Sequence, residues 1–160
     1  MLEKNESLAT PTDRETAPQE RPSFKTSRVF DAPKRLVFEA WSKAEHLKQW
    51  FPPNGFTMPR CTLEFRAGGV FSFDFRGPDG VDFPCEGRFD EIVPDERIVF
   101  TSKLHGDLVA TATVTFAEVD GKTTLTVEQV YSHHDDAVRG APVGWGQTLD
   151  HLAAFVANAR

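Results

Sequence analysis

From Phe56 to Tyr131 the sequence alternates apolar and polar residues in six consecutive runs, each closed by a turn signal. Strict period two puts every second side chain on one side of a pleated strand. The runs read as strands over 57–65, 70–75, 81–90, 97–104, 108–117 and 123–131. Between them stand "AGG" (67–69), "RGPDG" (76–80), "VPDER" (93–97), "HGD" (105–107) and "VDGK" (119–122), rich in residues that tolerate tight turns. Connections this short join antiparallel neighbours, so the runs predict one meander with a single buried face.

Such a face must be covered. The chain offers one long amphipathic element for this, residues 143–159, where Trp145, Leu149, Leu152 and Val156 recur at helical spacing behind Pro142. Ahead of the meander, "FKTSRVF" (24–30) reads as a further strand. A short helix follows, with Pro33 suited to its first turn and Leu36, Val37, Ala40 and Trp41 on one face. Ser42 and Glu45 have the spacing of a capping box, which opens a second helix with Leu47, Trp50 and Phe51 on its buried side. Pro52 and Pro53 stop it. The expected fold is therefore α+β in a helix-grip arrangement. A curved antiparallel sheet (strand, two helices, six strands, helix) wraps the C-terminal helix around an internal cavity.

The 160 residues suit one domain. Residues 1–22 carry almost no large apolar side chains and are expected to form a disordered tail, leaving 23–160 as the single domain. A net charge of -6 without a basic stripe excludes a nucleic-acid footprint. No apolar run approaches a membrane span and no signal-peptide pattern opens the chain, so a cytoplasmic protein is expected, as monomer or homodimer. Cys61 and Cys85 match no CxxC motif and fall on strands two apart. That separation is about 10 Å, too wide for a disulfide, so both are expected as reduced core or cavity residues.

The chain has 14 Phe against one Tyr, which suggests either a generous core or an apolar cavity. The proposed cavity walls from the sheet are Phe71, Phe73, Phe75, Phe83, Phe89, Phe100, Leu125 and Val127, with the small residues Cys85, Gly87, Ala110 and Ala112 among them. Trp41 and Trp50 would come from the short helices, and Trp145, Leu149 and Leu152 from the long one. Gln129 and Tyr131 would be the polar anchors that orient a ligand. The alternative is a filled core with one satisfied glutamine.

"YSHHDD" (131–136) is the most site-like string. Contiguous side chains chelate poorly, so the expectation is no metal, with Asp135 or Asp136 as a helix cap. His133 and His134 remain candidates for a polar role at the cavity mouth. Asp74, Asp82, Glu86, Arg88 and Glu128 alternate with the apolar set and read as the solvated outer face. No nucleophile elbow, phosphate-cradling loop or zinc pattern occurs, and no cofactor is expected.

"RVFDAPKRLVFEAWSKAEHLKQWFPP", "RAGGVFSFDFRGPDG", "CEGRFDEIVPDERIVFT", "DGKTTLTVEQ" and "VGWGQTLDHLAAFV" occur in this order. Together, over roughly residues 24–158, they resemble the START-like (SRPBCC, Bet v 1-type) superfamily. More narrowly, they resemble the bacterial proteins named after the activator of the heat-shock-protein-90 ATPase. The resemblance implies the same fold with an elongated cavity between sheet and helix. It also implies three classes of function. The first is binding of an apolar, lipid- or polyketide-like small molecule. The second is cyclase- or hydratase-like catalysis with a histidine or an inward carboxylate. The third is a chaperone-associated interaction module.

Overall fold

A computed structural model of the chain describes residues 21–104 and 106–159. The expected tail falls almost wholly outside the described residues, as does His105 of the 105–107 turn. Strand β1 (Ser23–Phe30) leads into helices α1 (Lys34–Glu39) and α2 (Ala44–Trp50). The meander follows as β2 (Thr57–Leu63), β3 (Val70–Arg76), β4 (Asp82–Val93), β5 (Arg97–Lys103), β6 (Val109–Val119) and β7 (Lys122–Tyr131). Helix α3 (Asp136–Ala159) ends the chain. The sheet has the order β1-β7-β6-β5-β4-β3-β2, and every neighbouring pair is antiparallel. This is the expected α+β helix grip, with β1 and β2 as its edges.

β6 states the logic most plainly. Ala110, Ala112, Val114 and Phe116 are buried, while Thr111, Thr113 and Thr115 between them are half-buried on the other face. Ala112, Val114 and Phe116 meet Leu125 and Val127 of β7 and Leu149, Leu152 and Val156 of α3 in one core, while Ala110 packs with Leu108 and Tyr131. Each fully buried Leu or Val side chain contributes about 1.5–3 kcal/mol. The helices add an aromatic cluster. Trp41 packs edge-on against Trp50 at 4.9 Å and stacks on Trp145 at 6.3 Å, so it joins the turn after α1 to α2 and α3.

Three local expectations need correction. Pro33 is not the first helical residue; it is the extended residue before it, at φ -68° and ψ 152°. The Ser42–Glu45 capping box does not form. The Ser42 hydroxyl instead donates to Glu39 O (2.7 Å), closing the turn after α1, and Lys43 precedes α2 without a side-chain cap. Helix α3 begins at Asp136, two turns earlier than expected, with Pro142 inside it. Asp135 caps it by accepting the amide of Ala137 (2.9 Å).

The outer face carries the charges. Arg60 grips Asp74 with two hydrogen bonds of 3.1 Å, and Arg76 holds Asp82 at 2.7 and 3.1 Å. Both pairs lie directly across strand boundaries. Exposed pairs of this kind are worth about 0–1 kcal/mol each, so they fix register more than they hold the fold. At the β2 edge the pairing slips between Thr57 and Arg60, and Pro59 stands inside that slip.

Candidate functional site

α3 crosses the sheet but does not press flat against all of it. Under its first half lies a cavity of about 220 Å³ walled by Phe73, Phe75, Cys85 and Phe100 from the sheet and by Phe51 and Pro53 after α2. Ala137, Ala141, Gly144, Trp145 and Thr148 form its helix side. A smaller space of about 50 Å³ adjoins it. The two share Phe51, Phe73, Phe100 and Ser102, and the smaller one is closed by Trp41, Leu47, Met58, Cys61, Leu63, Phe71 and Phe89.

Nineteen residues were proposed above for the cavity wall and its polar anchors, and the structure divides them. Trp41, Phe71, Phe73, Phe75, Cys85, Phe89, Phe100, Gln129, Tyr131 and Trp145 line one or both spaces. Trp50, Ala110, Ala112, Leu125, Val127, Leu149 and Leu152 line neither; they are buried core residues. Phe83 is on the expected face but is 52% exposed, because β4 there runs past the cover of α3. Gly87 leaves no free volume: the ring of Phe71 fills the space a side chain would take. Wall residues that pattern reading missed include Leu47, Phe51, Met58, Leu63, Ser102, Leu104 and Thr148.

The polar groups of the larger cavity form one knot. Gln129 Oε1 accepts from the Tyr131 hydroxyl at 2.6 Å and from Trp145 Nε1 at 3.0 Å. Tyr131 and Gln129 stand two residues apart on β7, so both point inward, and the helix brings Trp145 down onto them. Burial pushes the Tyr131 hydroxyl up to about 12. Burial likewise pushes the Cys85 thiol up to about 11, against the opposing effect of a Ser102 contact. Both groups are therefore neutral at pH 7. Cys61, on the smaller space, is also raised by burial. Among the described residues, no Asp, Glu, Lys, Arg or His lines either space.

One buried side-chain polar atom among the described residues has no partner, Trp41 Nε1. Trp50, by contrast, donates to Ala40 O at 3.0 Å. α3 is tied to the segment after α2 by four contacts. Thr148 Oγ1 donates to Phe51 O (2.9 Å) and Asn54 N to Gln147 Oε1 (3.0 Å). His151 meets Pro52 O through Nδ1 (2.9 Å) and Asn54 Oδ1 through Nε2 (2.7 Å). Because a carbonyl only accepts, His151 Nδ1 carries a proton.

The histidines of "YSHHDD" lie outside the cavity wall. His133 contacts Ser132 Oγ (3.0 Å) and approaches Asp107 (3.5 Å), and His134 is exposed. No group of three or more metal-ligating side chains is gathered among the described residues. No helix among them is long and apolar enough to cross a membrane.

The arrangement of sheet, helix and cavity has known counterparts. A sequence model of the family described as activator of Hsp90 ATPase homolog 1-like protein matches residues 31–157. The chain belongs to this family. Solved structures agree. Protein CV1439 from Chromobacterium violaceum shares 29% identity over 84% of this chain and 96% of its own, with a TM-score of 0.75. Protein NE0264 from Nitrosomonas europaea shares 25% over 86% and 95%, with a TM-score of 0.77. At 21% identity, the AHSA1 protein of Silicibacter pomeroyi is matched over 87% of this chain and the whole of its own (TM-score 0.77), and it speaks to fold alone. No curated protein matches the chain. Family membership carries with it the SRPBCC fold, which often binds ligands, and leaves the ligand to be argued from this cavity.

Proposed function

We propose that this chain binds an apolar small molecule in the cavity between its sheet and α3. One observation carries the reading. A volume of about 220 Å³ stays open between walls built from six aromatic side chains, Phe51, Phe73, Phe75, Phe100, Tyr131 and Trp145, with polar groups confined to a few positions. The space opens partly to solvent, and a recess with walls this apolar is the ordinary form of a small-molecule site. Affinity would come from burial of ligand area against these rings. Acid–base catalysis finds no support in the same wall, where the titratable groups are a neutral tyrosine and a neutral thiol.

The test is a titration with the neutral fluorophore N-phenylnaphthylamine, alongside native mass spectrometry of freshly purified protein. Saturable binding of one equivalent is expected, with loss on Gly144→Leu, which points a side chain into open space beside Trp145. Absence of both saturable probe binding and a retained molecule would overturn the reading. The proposed binding unit is residues 23–160, so removal of residues 1–20 leaves the titration unchanged.

A further inference from the structure

The polar knot in the cavity has a direction. Trp145 Nε1 can only donate, so the Gln129 atom 3.0 Å from it must be the carbonyl oxygen, which fixes the orientation of the amide. The Tyr131 proton goes to the same oxygen. Both lone pairs of Oε1 are thereby used. Nε2 and its two protons are left without a partner among the described residues. Gln129 is only 7% exposed, yet its amide nitrogen is not sealed off as Trp41 Nε1 is, and the residue lines the cavity.

We propose that the cavity selects a neutral, ring-sized ligand bearing an acceptor oxygen, such as a ketone, which the Gln129 amide N–H groups read. This rests on the cavity being a binding site, as argued above. A ligand without an acceptor would strip water from Nε2 and give nothing back. A carboxylate would enter a wall that holds no Arg, Lys or His among the described residues, and so would be buried unpaired. The volume of about 220 Å³ exceeds the roughly 150 Å³ of a cavity that accepts one benzene, which leaves room for a fused pair of rings.

Three probes of nearly one shape test this by calorimetry: tetralone, tetralin and naphthoate. Tetralone is expected to bind about tenfold more tightly than tetralin, the factor that corresponds to about 1.4 kcal/mol. Naphthoate is expected not to saturate. Gln129→Glu keeps an oxygen for Tyr131 and Trp145 to bond and replaces the Nε2 donor with a second oxygen; as the carboxylate it should lose the tetralone advantage. If that variant does not fold, the wild-type comparison decides alone. Equal affinities for tetralone and tetralin, or naphthoate as the tightest of the three, would overturn the acceptor proposal and leave the apolar cavity standing. Failure of all three to bind would remove the binding reading itself, and the proposal with it.

Discussion

Phe71 on β3 lies directly across from Gly87 on β4, and its ring tip occupies the place of the missing side chain. A Cβ built at position 87 would stand 2.5 Å from Phe71 Cζ and 2.1 Å from Thr101 O. The first contact could be relieved by a rotamer change. The second could not, because Thr101 is part of the β4–β5 ladder. Gly87→Ala is expected to destabilise by about 3 kcal/mol, the upper end for overpacking. Chemical denaturation would show a lower midpoint at unchanged slope. A midpoint within error of wild type would mean that β5 yields freely there.

The first turns of α3 should be its weakest. Gly140, Pro142, Gly144 and Gly146 fall within seven positions, and Pro142 cannot donate into the helix. A Cβ at Gly140 would meet nothing within 4 Å, so no packing reason excludes alanine. Gly140→Ala is expected to stabilise by about 0.5–1 kcal/mol. Hydrogen exchange should find the amides of 138–141 opening well before those of 148–156. Since Ala137 and Ala141 line the cavity, this fraying would also be the route by which a ligand enters. Uniform protection along α3 would count against both statements.

Tyr131 is the single tyrosine of the chain, so ultraviolet absorbance reports its ionisation alone. The folded protein should titrate near 12 and the denatured chain near the ordinary value of 10. The sign for stability follows. Between these values the unfolded chain has lost the phenolic proton and the native one has kept it, so the unfolded state binds fewer protons. Cys85, raised from 9 to about 11, acts the same way one unit lower. Stability attributable to both groups is intact below pH 9 and is lost as pH rises through 9–12. A midpoint near 10 in the folded protein would show a hydroxyl open to water.

Two ties between α3 and the rest of the fold should differ in weight. Thr148 is 5% exposed and donates to Phe51 O, so Thr148→Val leaves a carbonyl short of a donor and should cost about 1–2 kcal/mol. Arg28 meets Asp150 at 2.6 Å, but the acidic partner is 68% exposed. Asp150→Asn should therefore change stability by less than about 0.5 kcal/mol. Thermal unfolding of both variants in low and high salt would separate them. A larger loss for Asp150→Asn would reverse the assignment.

Most of the sheet was legible because alternation and turn residues are local signals, and each strand falls within a few residues of its expected place. What stayed hidden has specific causes. On β2 the inward residues are Met58, Cys61 and Leu63, with the slip between Thr57 and Arg60 breaking the period after Met58. The start of α3 was masked by Gly140 and Pro142, which read as loop even though Asp135 caps the helix. Alternation also names a face without saying how much of it the helix covers. Leu125, Val127 and Gln129 share one side of β7, yet the first two meet packed side chains and the third meets open volume. That distinction depends on where α3 crosses, a long-range property with no signature along the strand. Phe83 illustrates the same limit from the uncovered end.

The slip on β2 has a consequence for how copies of the protein can meet. An outermost strand with an unbroken row of backbone donors and acceptors invites a second chain to pair with it, and then a third, toward fibrils. Here Pro59 offers no N–H, the register breaks beside it, and Arg60 places a cation at the same stretch. Lateral growth from this side of the sheet is hindered where it would start, so a second copy finds no continuous ladder to extend along β2.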